Sequence, residues 1–244
     1  MAVRVRRARA RAAAEAPQPG DDRIFDPGCT ACPRLAAFLA AVRAKMPGYY
    51  ARPVPPFGAH DPAILIVGLA PGLHGANRTG RPFTGDFAGI LLYETLHAFG
   101  LASRSQSLAA DDGLTLRNAR ISNAVKCVPP ANKPLPDEIR RCNSYLRAEL
   151  AQLRATRVIL ALGRIAHDAV ALALELKPSS LPFGHAREHV LPGGRVLLDS
   201  YHCSRYNTQT RRLTPRMFQD VVRRATQLAQ PPGAPRRSRS RSRP

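Results

Sequence analysis

Apolar residues in this chain fall into two recurring patterns. In the first, a short unbroken run stops at a Gly or Pro turn. ILIVGLAPG (64–72) predicts a buried strand that delivers a loop at its carboxyl end. ARISNAVKCVPP (119–130) predicts a short strand stopped by two prolines. RVILALGRIAHDAVALAL (157–174) reads as a strand, a glycine turn and a helix, and RVLLDSYHCS (195–204) as a strand running into a loop. In the second pattern apolar residues recur at helical spacing. GDFAGILLYETLHAFG (85–100) predicts a helix ending at Gly100. PDEIRRCNSYLRAELAQL (136–153) predicts an amphipathic helix with Pro136, Asp137 and Glu138 in its first turn. TPRMFQDVVRRATQLAQ (214–230) predicts a closing helix, with Thr214 as its cap and Pro215 as its first residue.

Strands that alternate with helices imply an α/β fold. The expectation is a three-layer α/β/α sandwich around a central, mostly parallel, four-stranded sheet. In such sheets ligands bind beyond the carboxyl ends of the strands. The GLAPG loop, the SNAVKC segment and the SYHCS loop are therefore candidates to converge on one cleft.

Composition sharpens the ends of the chain first. Residues 1–20 and 230–244, the latter QPPGAPRRSRSRSRP, read as disordered basic tails around one folded domain over 21–229. Arg4, Arg6, Arg7, Arg9, Arg11, Arg236, Arg237, Arg239, Arg241 and Arg243 supply half of the formal charge of +20. The remainder stays basic, which is the electrostatic footprint of a polyanion binder. No apolar stretch follows the basic start, so no secretory signal is expected. No apolar run approaches the ~18 residues of a membrane span. The expected compartment is the cytoplasm, in association with the nucleoid, and a monomer is expected.

Of the five cysteines, Cys29 and Cys32 form a CxxC, while Cys127 and Cys142 come later. An odd count without a signal argues against a disulfide framework. Four thiolates suit tetrahedral zinc or the corners of a 4Fe–4S cluster, and spacing alone does not choose between them. Cys203 is left over.

The loop GLAPGLHGANRTGRPFTGD, from Gly68 to Asp86, carries the densest candidate chemistry. Its glycines permit backbone to approach a flat base or a phosphate. Phe83 can stack on a base, an interaction worth roughly 1–3 kcal/mol. No Walker pattern is present. Each residue also has a plainer reading: Asp86 as a helix cap, Phe83 as a core aromatic, Asn123 as a partner for nearby backbone.

As a whole this loop resembles motif I of the uracil-DNA glycosylase superfamily, and its family 5 branch most. CTAC (29–32), Cys127 within ISNAVKCVPPANKP, and Cys142 are similar to the iron–sulfur cysteine pattern of families 4 and 5. SYHCSRYNTQTRRLTP (200–215) resembles the second motif of family 5. The resemblance covers about residues 25–225. It implies a monofunctional base-excision-repair enzyme that hydrolyses the N-glycosidic bond of uracil in double-stranded DNA and leaves an abasic site. Hypoxanthine, xanthine or other deaminated bases are implied as further substrates. It also implies a 4Fe–4S cluster on Cys29, Cys32, Cys127 and Cys142, serving as scaffold. The alternatives are a family 4-like uracil-only enzyme, a non-catalytic DNA-binding protein of the same fold, and a zinc protein with no DNA role.

With that resemblance the site residues take roles. Phe83 stacks on the flipped base, and the Asn123 amide reads the uracil edge. Gly68, Ala70 and Gly72 surround base and sugar. Ala70 stands where other branches carry a carboxylate or asparagine, and family 4 a glutamate. His202 stabilises charge on a uracil oxygen, and Asp86 places the water or stabilises the sugar cation. His74 and Asn77 are secondary candidates for the same pocket. Arg205, Arg211, Arg212 and Leu213, with Tyr206, contact phosphates and fill the vacated stack. Arg211 stands where the family pattern has a small residue.

Overall fold

A computed structural model describes residues 25–230. The predicted tails at 1–20 and 230–244 lie outside the described residues, apart from Gln230. In chain order the elements are α1 (Pro33–Lys45), β1 (Phe57–Gly58), β2 (Ile64–Gly68), α2 (Ala76–Thr79), α3 (Phe87–Ala98), β3 (Ala119–Asn123), α4 (Pro136–Gln152), β4 (Val158–Leu162), α5 (Arg164–Ala173), β5 (Glu188–Val190), β6 (Val196–Ser200), α6 (Arg205–Gln209) and α7 (Pro215–Leu228).

The sheet order is β1-β3-β2-β4-β6-β5. The inner four strands are mutually parallel, as the apolar runs predict. The sheet has six strands and not the expected four, because β1 and β5 add antiparallel edges. They are two and three residues long, too short to carry a periodic pattern.

Period-two alternation divides the core. Ile64 and Ile66 of β2, with Val158, Leu160 and Leu162 of β4, face a cluster that includes Leu92 and Leu96 of α3 and Phe218 and Val222 of α7. Leu65, Val67, Ile159 and Ala161 face the other side, against Leu146 and Leu150 of α4 and Ala166 and Val170 of α5. Continuous apolar strands are thus explained by helices covering both faces. A third cluster joins Leu35 and Leu39 of α1 to Val125, Cys127, Val128 and Cys142. Among the described residues no helix is long and apolar enough to cross a membrane.

Candidate active site

The carboxyl ends of β2 and β3 lie side by side, with Gly68 in register with Asn123. A Cβ on Gly68 would sit 2.5 Å from the Asn123 Oδ1 and 2.7 Å from the Phe83 ring. No real side chain tolerates such distances, so glycine is required for these two groups to share one spot. Phe83 takes a left-handed backbone conformation (φ 54°) that turns its ring inward. Its carbonyl neighbour Pro82 accepts from the buried Tyr93 hydroxyl at 2.9 Å. Asn123 is 3% exposed, and its Oδ1 has no partner among the described residues. A buried acceptor without a donor costs about 1–3 kcal/mol, so such an atom points to a ligand.

Asp86 caps α3: its Oδ1 accepts from the Gly89 N–H at 2.9 Å. A Cβ on Gly75 would lie 2.4 Å from the other carboxylate oxygen, so the 72–75 turn is folded directly against this side chain. Burial pushes the Asp86 carboxyl upward, while the Gly89 and Ala88 backbone N–H groups pull against that shift. Asp86 thus caps α3 through one oxygen and lies against the 72–75 turn through the other.

His202 follows β6, and its ring stacks on Phe83 with centroids 5.9 Å apart and planes 29° apart. Burial pushes its pKa down to about 4, so the imidazole is neutral at pH 7. The Asn207 amide donates to the His202 carbonyl at 2.8 Å, and Ser204 caps α6 through the Asn207 N–H. These contacts tie the histidine to the second motif. A cavity of about 280 Å³ opens beside it, walled by Leu69, Phe183, Tyr201 and Arg212. Sequence reasoning missed Phe183 and Tyr201; neither sits in a run with a recognisable period.

Other expected residues are less central. His74 is exposed, and its Nδ1 shares a hydrogen bond of 2.9 Å with the Tyr49 hydroxyl. Asn77 is fully buried within its own turn, with its amide 3.5 Å from the Leu73 carbonyl and its Oδ1 unpartnered. Ala70 packs toward the cysteine-side cluster. Gly72 carries the first turn of the loop through its carbonyl, which accepts from Asn77.

In the second motif Arg205 lies over the Phe87 ring at 5.9 Å and Arg212 over Tyr201 at 4.6 Å. Arg211 is exposed in a left-handed conformation (φ 56°), a strained position for a residue with a Cβ. Leu213 corrects the sequence expectation. It is 0% exposed and belongs to the core beside Phe218, so it cannot enter a DNA stack. Tyr206, 71% exposed, is the bulky side chain this motif presents.

Cys29, Cys32, Cys127 and Cys142 line one cavity of about 80 Å³, and none forms a disulfide. Burial raises Cys127 to about 12, and the other three thiols push it the same way, which reflects their convergence. The Lys126 N–H donates to the Cys142 sulfur at 3.2 Å. Two contacts pin the CxxC segment to α4. Arg34 grips Glu138 at 2.7 and 2.8 Å, and Arg141 donates to the Ala31 carbonyl at 2.9 Å. Cys203 is buried elsewhere, in the α3–α7 core.

Among the described residues one trio of potential ligands has all its donor atoms within 4.8 Å: His167, His189 and Asp199. The His167 Nδ1 and the Asp199 Oδ1 are already spent on each other, at 2.7 Å.

This fold and site define an α/β protein with Phe83, Asn123 and His202 gathered at the strand ends and a separate four-thiol cavity. Comparison with known proteins agrees. The profile of the Uracil DNA glycosylase superfamily matches residues 55–226. A type-5 uracil-DNA glycosylase of Thermus thermophilus is 50% identical over 206 residues, covering 82% of this chain and 94% of that protein. One from Pyrobaculum aerophilum is 40% identical over 201 residues, covering 81% and 87%. A type-4 uracil-DNA glycosylase of Archaeoglobus fulgidus is 38% identical over only 114 residues, 46% of this chain and 49% of that protein. The chain belongs to the uracil-DNA glycosylase superfamily, among its type-5 members.

Proposed function

We propose that this protein hydrolyses the N-glycosidic bond of deoxyuridine in duplex DNA, leaving an abasic site for base excision repair. The observation that carries this reading is the orphaned, buried Asn123 Oδ1 beside the Phe83 ring. That acceptor suits the N3–H of a uracil stacked on Phe83, and the same amide can donate to a uracil oxygen. Family membership supports the reaction class.

Bond cleavage leaves negative charge on the base and positive charge on the sugar. A neutral His202, placed over Phe83, offers an N–H to the uracil oxygen that gains charge. The Asp86 carboxylate, beside the 72–75 turn, is the group that orders water or faces the cationic sugar. Ala70 adds only a methyl group, so the cradle imposes few polar demands. Hypoxanthine and xanthine are expected as further substrates.

Cys29, Cys32, Cys127 and Cys142 would hold a 4Fe–4S cluster. All four line one cavity and none is held in a disulfide, so four thiolates are available to such a cluster's corners. Such a group supplies a tie between the α1 side and α4. Arg205, Arg212 and Tyr206 are the candidates for DNA contact.

The test is a single-turnover panel on duplexes containing uracil, hypoxanthine, xanthine or mismatched thymine. Uracil release is expected, with slower release of the purines. No abasic sites on any duplex would refute the reading.

A further inference from the structure

The loop that carries His202 is held from behind by two histidines that make opposite demands on a proton. His167 of α5 is 0% exposed and lies between two acceptors. Its Nε2 is 2.7 Å from the Leu181 carbonyl and its Nδ1 is 2.7 Å from the Asp199 Oδ1. A carbonyl only accepts, so Nε2 carries a hydrogen. The remaining contact, to a carboxylate, then needs a second proton between Nδ1 and Oδ1. Asp199 lies on β6, three residues before His202, and its other oxygen accepts from the Gly184 N–H at 3.3 Å. The pair thus clamps β6, α5 and the 181–185 segment together through one buried proton.

That segment holds the loop itself. The Tyr201 N–H donates to the His185 Nδ1 at 3.2 Å, and the two rings stack with centroids 5.1 Å apart. An Nδ1 that accepts is unprotonated, so His185 must be neutral. Beyond it, Tyr201 carries Arg212 on its outer face.

We propose that His167, Asp199 and His185 are positioning residues for His202. The loop is presented correctly only while His167 holds its second proton and His185 does not. The groups that face the clamp are few. His167 sees Asp199 on β6, His189 on β5 with ring centroids 5.5 Å away, Asp168 on its own helix, and the Phe183 ring. His189 approaches the Asp199 Oδ2 at 3.5 Å. His185 sees Tyr201 and, past that ring, Arg212. The local fields agree with the geometry. Burial opposes the charge on His167, but its bonds to Asp199 and Leu181 outweigh that and raise its pKa. Burial lowers that of His185. Presentation therefore fails on the alkaline side as His167 loses its proton, and on the acid side as His185 gains one.

This inference rests on the glycosylase reading for its activity arm only. In the full-length protein labelled with ¹⁵N-histidine, His167 is expected to carry protons on both ring nitrogens at pH 7.5. A neutral His167 at that pH would overturn the proposal. Asp199→Asn provides the second arm, because an asparagine amide can donate to a neutral His167 and removes the need for the extra proton. Wild-type single-turnover uracil release should fall with pH once His167 deprotonates, at about tenfold per pH unit. In Asp199→Asn that alkaline fall should vanish or move by more than a pH unit. An equal loss at every pH would mark a merely structural role and contradict the proposal. His185→Gln, which keeps an acceptor that does not titrate, should make the acid-side fall shallower, leaving only the limb that Asp86 sets; an unchanged acid limb would contradict the role of His185. If wild type releases no uracil at all, the function fails while the ¹⁵N measurement still decides the proton.

Discussion

At the scale of single residues, the site depends on close approaches that a substitution can close. Gly68→Ala removes no functional group, yet its methyl would overlap the Asn123 Oδ1 and the Phe83 ring. Uracil release should drop at least about a hundredfold while the protein remains folded, because a site displaced by about 1 Å loses that much. Near-normal single-turnover rates would show that the cradle is not where the base sits. Asp86→Asn separates the cap from the chemistry. Asparagine still caps α3, so thermal stability should stay close to wild type, whereas release should fall by about 10²–10⁴-fold if the carboxylate acts on water or sugar. Because burial raises the Asp86 pKa, wild-type release should increase as pH rises through that titration. His202 gives a stability signature instead. Its pKa falls from the usual 6.5 to about 4 on folding, so the unfolded chain binds more protons between those values. Stability should be complete above about pH 6.5 and decline toward pH 4, and His202→Gln should flatten that decline in thermal melts.

At the scale of elements, Leu213 and the cysteines make contrasting cases. Leu213→Ala should cost about 2–5 kcal/mol of stability, as a core truncation does, and calorimetry should detect it before any DNA assay. Cys142→Ala should lose iron and the absorbance at about 400 nm, and should free the α1 segment for proteolysis; full iron content in that variant would refute the ligand set. The four inner strands were legible as short unbroken apolar runs ending at a turn, and the helices over 85–100, 136–153 and 214–230 as longer runs at helical spacing. The edge strands β1 and β5 were not, since runs of two and three residues have no period. Helix α1 carries two alanine pairs among its apolar residues and a weak stripe, and it packs on the cysteine side through Leu35, Leu39 and Val42. The loop Gly68–Asp86, Asn123 and His202 could be read because their motifs are local. The burial of Leu213 could not, because it depends on how α6 turns into α7, where the Leu213 N–H meets the Asn207 carbonyl. Nor could the His167–Asp199–His185 support, whose members come from three separate elements.

At the scale of the whole molecule, a formal charge of +20 meets a polyanionic substrate. Each phosphate neutralised releases counterions, so duplex affinity should fall with salt at a log–log slope of about −0.9 per contact. Arg205→Ala and Arg212→Ala should each make that slope shallower by about one contact. Deleting the two arginine-rich ends should weaken binding to undamaged duplex more than it slows release of bound uracil. The central claim is that a uracil, stacked on Phe83 and read by Asn123, is cut from its sugar in this cradle. The most direct measurement is single-turnover abasic-site formation on a uracil-containing duplex, with wild type and Asn123→Ala compared at enzyme concentrations that saturate both. Wild type should convert the duplex fully, and Asn123→Ala should be slower by about 10–100-fold, matching the loss of a buried hydrogen-bonding partner. Equal rates for the two proteins, or no abasic sites with wild type, would contradict the account.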